Sequence, residues 1–131
     1  MLEKQHTPGT LSRRERQIMD VLYRHGKLSS AEVQAQMANP PGYSAVRAML
    51  RVLEDKGHVR HVADGLKFLY VPTIPREKAK RSAIRHVLGT FFNDSPEQAM
   101  AALLDVSATR ITRAELERMS SMIEKAKQEG K

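Results

Sequence analysis

The feature that most constrains this chain is a helix pattern that runs directly into a hairpin pattern. The letters NPPG at 39–42 predict a turn, because successive prolines exclude a helix there. From Ser44 onward apolar residues recur at helical spacing, and Gly57 lies where a left-handed cap would end the helix. The apolar positions are Val46, Met49, Leu50 and Leu53.

Two strand-like runs, 59–63 and 67–71, follow around Asp64 and Gly65. An Asp-Gly pair between such runs predicts a hairpin whose two turn residues both have positive φ. Residues 27–29 are too short to assign from the sequence alone, and a third strand that pairs with the hairpin is one interpretation. The pattern therefore predicts a small β-hairpin immediately after the amphipathic helix.

Capping-box patterns mark helix starts elsewhere, each with a hydroxyl residue three positions before Glu or Gln. The four pairs are Ser12 with Glu15, Ser29 with Glu32, Ser95 with Gln98, and Thr112 with Glu115. The first two open helices predicted over residues 13–24 and 30–37. Helix, helix, turn, helix and hairpin is the order of a winged helix-turn-helix, which we predict for residues 10–73 as a DNA-binding domain.

Residues 74–131 form a second helical block, with apolar stripes on helices too short to bury them alone. We expect a second copy of the chain to cover these stripes, which makes this block a dimerisation domain; an intramolecular bundle is the alternative. The residues expected at the dimer interface are Ile84, Val87, Leu88, Phe91, Leu116, Met119 and Ile123. The predicted fold class is therefore mainly α: an N-terminal winged helix-turn-helix with a small β-hairpin wing, plus a C-terminal helical dimerisation region.

The balance of charge points to an anionic partner. The 131 residues contain 22 Lys and Arg against 15 Asp and Glu, a formal net charge of +7, which favours nucleic acid. Cysteine is absent, which excludes disulfides and thiolate metal sites. No apolar run is long enough to span a membrane, and the first ten residues lack the apolar core of a signal peptide. We therefore expect a cytoplasmic location and no membrane partner.

The third helix has the surface that a DNA major groove requires. The side opposite its apolar stripe carries small residues and arginines, so the helix backbone can approach base edges, and an arginine can bond a guanine through two hydrogens. The residues predicted to contact bases or the groove are Ser44, Ala45, Arg47, Ala48 and Arg51. A merely solvated helix face is the alternative, which the (i, i+4) pairing of Arg51 with Asp55 favours slightly.

A second set of residues is predicted to contact DNA phosphates. Such contacts supply affinity and salt dependence but no sequence information. These residues are Tyr43, Arg60, His61, Lys67 and Arg13. For His61 and Arg13 a plain exposed surface is the alternative. Phe68 and Tyr70, which alternate along the wing, are expected to pack under the hairpin.

The sequence predicts neither catalysis nor a cofactor. It contains no Gly-rich phosphate loop, no cysteine nucleophile and no framed pair of carboxylates. Its five histidines are scattered, so no metal site is predicted. A second class of function stays open, namely a winged helix that binds another protein and whose positive charge is incidental.

Three stretches resemble the penicillinase-repressor family of winged helix-turn-helix transcriptional repressors. They are LSRRERQIMDVLYRHGKLSSAEV from Leu11, SAVRAMLRVLEDKGHVRHVADGLKFLYVP from Ser44, and ITRAELERMSSMIEKAK from Ile111. The resemblance covers about residues 10–128. It implies a bacterial homodimeric repressor with an N-terminal winged helix and C-terminal dimerisation helices, and a two-fold dimer favours a palindromic operator.

Three departures from the family limit what the resemblance implies. Relatives often read TIRTLITRL at the third helix; here Ala45 and Ala48 replace the two threonines around Arg47, so a different operator is expected. Relatives induced by β-lactams are cut at an Asn-Phe bond by a sensor protease. Leu104 and Asp105 occupy that place here, which argues against such a protease as a partner. The copper-sensing relatives use C-terminal cysteines, which this chain lacks.

Overall fold

The computed structural model describes residues 10–130. The helices are α1 (Arg13–His25), α2 (Ser30–Gln36), α3 (Tyr43–Asp55), α4 (Arg76–Phe91), α5 (Pro96–Val106) and α6 (Arg113–Gln128). The strands are β1 (Leu28–Ser29), β2 (Val59–Asp64) and β3 (Lys67–Pro72). The described chain is therefore mainly helical, as the sequence predicted.

The three strands form one antiparallel sheet in the order β1-β3-β2. Strands β2 and β3 make the predicted hairpin, and β1 adds the third strand by pairing Leu28 with Tyr70 and Ser29 with Leu69. Two helices, a tight turn, an amphipathic helix and a hairpin make a winged helix-turn-helix. The predicted fold class is confirmed.

The chain divides into two compact units between Arg81 and Ser82. This division falls inside α4, whereas the sequence placed a domain boundary between residues 73 and 74. The assignment of residues 10–73 and 74–131 to separate functional domains stays a prediction.

Side-chain caps set the starts of four helices. Ser12, Ser29 and Thr112 each accept a hydrogen bond from the backbone N–H three residues later, and the glutamate at that position accepts one from the backbone N–H of the cap residue. Ser95 makes half of this motif: its hydroxyl accepts from the Gln98 N–H at 3.1 Å. Its own N–H donates instead to the Phe92 carbonyl at 2.8 Å.

The turn of the hairpin differs from the sequence prediction by one residue. Asp64 pairs with Lys67 across the sheet, so Gly65 and Leu66 form the two-residue turn. In this segment only Gly65 has positive φ, at 64°, which matches a type II′ turn with glycine first. The prediction that Asp64 shares the turn was wrong, because a left-handed glycine alone can close this hairpin. Leu66 is consequently left fully exposed at the wing tip.

One hydrophobic core holds the first unit together. The stripe of α3 packs against α1, α2 and the first residue of β2. Seven side chains are at most 2% exposed: Ile18, Leu22, Val33, Val46, Leu50, Leu53 and Val59. Burial of each contributes about 1.5–3 kcal/mol relative to exposure. Met49, the fourth residue of the predicted stripe, packs at the edge of this core.

The C-terminal end of α3 is closed by a Schellman motif, in which the His58 N–H donates to the Leu53 carbonyl at 2.9 Å. Gly57 has a φ of 89°, the left-handed conformation that its position in the sequence predicted. This cap reverses the chain so that β2 begins at once.

An ion pair between a half-exposed lysine and a buried carboxylate joins the end of α3 to the start of α1. The Lys56 Nζ lies 2.8 Å from the Glu15 Oε1, and the same ammonium donates to the Thr10 carbonyl at 2.9 Å. Glu15 is only 7% exposed. The hydrogen bond from Lys56, followed by that from the Ser12 N–H, lowers the pKa of the Glu15 carboxyl.

Among residues 82–130 no side chain is buried. Helices α4 and α5 are joined by a tight turn in which the Asp94 N–H donates to the Leu88 carbonyl at 2.9 Å. Asn93 and Asp94 both have positive φ, of 53° and 59°, a conformation that Asn and Asp tolerate better than other non-glycine residues. This unit therefore has ordered helices without a core of its own.

Replacement of Glu15 with Gln tests the link between α1 and the end of α3. The amide can still cap α1, but the ion pair with Lys56 is lost, so we expect the free energy of unfolding to fall by about 1–3 kcal/mol. Because folding lowers the pKa of Glu15, its ionised form stabilises the fold above the unfolded pKa, and this contribution is lost as the pH falls through the folded pKa. Urea unfolding at neutral pH and at about pH 3 should therefore show a smaller pH effect in E15Q than in the wild type.

Glu32→Gln is the matched control, because Glu32 holds the same place in the capping box of α2 but is exposed. A much smaller effect is expected. Equal destabilisation by the two substitutions would mean that the capping box, and not the pair with Lys56, carries the energy.

Candidate nucleic-acid interface

The outward face of α3 carries the residues that the sequence predicted for a groove. Helix geometry places Ser44, Ala48, Arg51 and Asp55 opposite the buried Val46 stripe, at about 100° per residue. All five predicted groove residues are exposed: Ser44, Ala45, Arg47, Ala48 and Arg51. The middle of this face holds only an alanine methyl, so a ligand can approach the helix backbone closely. The structure therefore brings the predicted residues together on one open surface.

The start of α3 lies directly after Gly42, which caps the helix through its backbone alone: its carbonyl accepts from the Val46 N–H at 3.1 Å. Tyr43 is 46% exposed. The guanidinium carbon of Arg47 lies 5.9 Å from the centroid of the Tyr43 ring, within the range of a cation–π contact. This contact orients the Arg47 side chain along the first turn of the helix.

A cleft of about 340 Å³ separates the start of α3 from the wing. One wall is formed by Tyr43 and Arg47, and the other by residues of β3 and of the turn before it. Its lining residues are Ser29, Ser30, Ala31, Tyr43, Arg47, Leu66, Lys67, Phe68 and Tyr70. Two basic residues, Arg47 and Lys67, thus line one concavity.

His61 links the wing to α3. Its Nδ1 lies 2.8 and 2.9 Å from the two carboxylate oxygens of Glu54. Its ring centroid lies 4.5 Å from that of Phe68 and 6.1 Å from that of Tyr70. The sequence predicted that His61 contacts a phosphate, but one of its ring nitrogens lies against a carboxylate of the same chain. Sequence reasoning missed Glu54, because no local pattern relates residues on either side of the α3 cap.

The two aromatic residues of the wing have different surroundings. Tyr70 packs against the hydrophobic core, as expected for a residue under the hairpin. Phe68 is 53% exposed and packs on His61. The prediction that both pack under the wing therefore describes Tyr70 better than Phe68.

The other basic residues of the wing lie on its opposite face. Arg60 pairs with Val71 and Asp64 with Lys67, so the alternation of side chains along the strands puts Arg60 and Lys67 on one face and His61 on the other. Both basic residues are exposed. Lys67 also lies near Glu32. The pKa of the Glu32 carboxyl is lowered chiefly by the hydrogen bond from the Ser29 N–H and, to a smaller extent, by the charge of Lys67.

Arg13 lies in a second basic concavity, of about 560 Å³, at the start of α1. Arg14 and Arg16 line the same cleft, whose far side is the loop that leads from α2 into α3. Gln17 fixes this loop, because its amide donates to the Ala38 carbonyl at 2.9 Å and accepts from Arg14 at 3.1 Å. The positive charge at the start of α1 is thus held beside the approach to α3.

The apolar residues predicted for a dimer interface lie at the surface of the second unit. Phe91 is 72% exposed and Ile84 56% exposed, whereas Leu88 and Met119 are half-buried. Three further exposed apolar residues were not in the predicted set: Leu103, Val106 and Met122. Their exposure was not evident from the sequence, because it depends on which faces of the three helices pack against one another.

Within residues 10–130, no group of three His, Asp or Glu side chains could hold a metal ion. No helix in that range is long and apolar enough to cross a membrane.

The chain is similar to a known protein family and to a solved structure. A solved structure of TrmBL2, an archaeal chromatin protein described as having a novel mode of DNA binding, matches with 24% identity and a TM-score of 0.43. That match covers 79% of this chain but only 38% of the other. No curated protein matches the sequence. The model of the family described as penicillinase repressor matches residues 11–125. The chain therefore belongs to the penicillinase-repressor family.

Proposed function

We propose that this protein is a homodimeric repressor that binds a palindromic operator, with α3 in the major groove and the wing on the DNA backbone. The observation that carries the proposal is the outward face of α3. It is exposed along its length, small at Ala48 and cationic at Arg51. A face of this kind lets the helix backbone approach base edges while an arginine reaches a guanine. A regulator that blocks transcription needs no catalytic group, and we propose none.

Phosphate contacts on both sides of α3 would fix its position on the duplex. On the wing side the proposal assigns Lys67 and Tyr43, with Arg60 further along β2. At the start of α1 it assigns Arg13, whose neighbours Arg14 and Arg16 add to the positive potential. His61 contributes differently from the sequence prediction: its pair with Glu54 holds the wing against α3, so its contribution to binding is indirect.

The second unit supports the dimer. No side chain among residues 82–130 is buried. Proteins cover exposed apolar stripes of this kind by association with another surface. We propose that the stripes of α4 and α6 pack against a second copy. A two-fold dimer then presents two copies of α3 about 34 Å apart, one turn of DNA. Induction by cleavage is not part of the proposal, since Leu104 and Asp105 in α5 replace the expected Asn-Phe bond.

Selection of bound sequences from a random duplex library tests the operator. We expect the full chain to select an inverted repeat whose half-sites are about 10 base pairs apart, and to bind less tightly as salt rises, with a log–log slope of about −0.9 for each phosphate neutralised. Absence of any binding at low salt would contradict the proposal and favour a winged helix that binds protein. A selected site without two-fold symmetry would contradict the palindrome.

The carboxylate of Asp55 on the outward face should oppose DNA binding. At about 6 Å from a phosphate in water the repulsion is roughly 0.7 kcal/mol, so Asp55→Asn should tighten binding to random duplex by about threefold. Asp105→Asn in α5, in the second unit, makes the same change in net charge at an exposed position. Fluorescence anisotropy at low salt compares the two variants. Equal tightening by both would attribute the effect to net charge and not to the face of α3.

Charge on the stripe of α6 should separate the dimer. Ile123 is 43% exposed, and Ile123→Asp would place a carboxylate in the proposed interface, where its desolvation is unfavourable. Sedimentation velocity should give the mass of one chain. Ser121→Asp lies on the opposite side of α6 and should leave the dimer intact. A dimer that persists in the Ile123 variant would exclude this stripe from the interface.

A further inference from the structure

We propose that the two arginines of α3 have different roles: Arg47 binds a backbone phosphate in the cleft beside the wing, together with Lys67, and Arg51 reads a base. The inference rests on the proposed function and goes beyond it, because the sequence assigned both arginines to the groove. It follows from where each side chain leaves the helix and from what surrounds it.

Arg47 leaves α3 on the side that faces the wing. At 100° per residue it lies about 40° from Tyr43 and about 20° from Glu54 around the helix axis. Both of these neighbours are on the wing side: Tyr43 lines the cleft with residues of β3, and Glu54 bonds His61 of β2. Arg47 therefore lies at the edge of the outward face and not at its middle.

Arg51 leaves α3 closer to the middle of the outward face. It lies about 20° from Ser44 and about 40° from Asp55 around the axis, and both of these residues are exposed. It is absent from the lining of the wing cleft. Its neighbour Ala48 is too small to hold it away from a base edge. Arg51 is thus the arginine that projects into the groove when α3 lies there.

The surroundings of Arg47 suit a phosphate. The guanidinium carbon of Arg47 lies 5.9 Å from the centroid of the Tyr43 ring. A cation–π contact at this distance uses none of the N–H donors, so they can still bond an anion. Lys67 and Ser30 line the same cleft. None of the lining residues within the described range 10–130 is acidic. Glu32, whose carboxyl interacts electrostatically with Lys67, is not one of the lining residues.

Loss of a phosphate contact and loss of a base contact change different properties of DNA binding. A phosphate contact adds affinity for every sequence and contributes to the salt dependence, whereas a base contact discriminates one base pair from the others. Arg47 should therefore set how tightly the protein binds any duplex. Arg51 should set which operator it prefers.

Matched substitutions of the full chain test this division. Arg47→Gln and Arg51→Gln remove the same charge from exposed positions of one helix, and Lys67→Gln tests the second cation of the cleft. Each variant is assayed against random duplex across salt and against a random duplex library for sequence selection. Thermal melting confirms that each variant is folded.

We expect Arg47→Gln and Lys67→Gln to weaken random-duplex binding, to reduce the salt slope by about 0.9 each, and to select the same sequence as the wild type. Arg51→Gln should relax one position in each half-site, with discrimination there falling by about 5- to 150-fold. Arg47→Lys should retain most random-duplex affinity, because an ammonium also binds phosphate. Arg51→Lys should keep the charge but lose base discrimination, because it cannot form the two-hydrogen contact of a guanidinium in the same geometry.

The contrary outcomes are distinct. A changed selected sequence or an unchanged salt slope in Arg47→Gln overturns the division of roles, and so does an unchanged selected sequence in Arg51→Gln. In each of these cases the wild type still selects an operator, and the proposed function stands. A folded wild type that selects no sequence refutes the proposed function and this inference together.

Discussion

The structure of the first unit depends on burial of one stripe of α3. Val46, Leu50 and Leu53 are fully buried against α1, α2 and the start of β2. Since a helix with one face buried has its opposite face fixed toward solvent, this burial determines which residues can meet a ligand. The same contacts that stabilise the core therefore present Ser44, Ala48 and Arg51 outward. Stability and the binding surface are two consequences of one packing arrangement.

The two ends of α3 are held in different ways. At the C-terminal end, Glu54 bonds His61 of the wing and Lys56 bonds Glu15 of α1. The Thr73 hydroxyl adds a bond to the Gly57 carbonyl at 2.7 Å. At the N-terminal end Gly42 caps through its backbone alone, and Tyr43 is half-exposed. The tethered end fixes the angle between helix and wing, and the open end leaves the first turn accessible to DNA.

The two units obtain stability from different sources. The first has its own core, as a domain that folds alone requires. The second has helices with good caps, such as Thr112 with Glu115, yet no described side chain in it is buried. Capping contributes only about 0.5–2 kcal/mol to a helix, and in the proposed dimer association of the apolar stripes supplies further stability. On this account dimerisation and the folding of the second unit are coupled, and dilution should weaken both.

The sequence by itself determined the features that depend on neighbours within one or two turns. The capping boxes at Ser12 and Ser29, the left-handed cap at Gly57 and the two faces of α3 follow from such local spacing, and all were predicted. The tertiary structure decided the ion pair of Glu15 with Lys56 and the approach of His61 to Glu54. It also placed Arg47, but not Arg51, in the lining of the cleft beside the wing. These features join residues that are distant in sequence or lie across a change of element, and only the packing of helices against the sheet sets such distances.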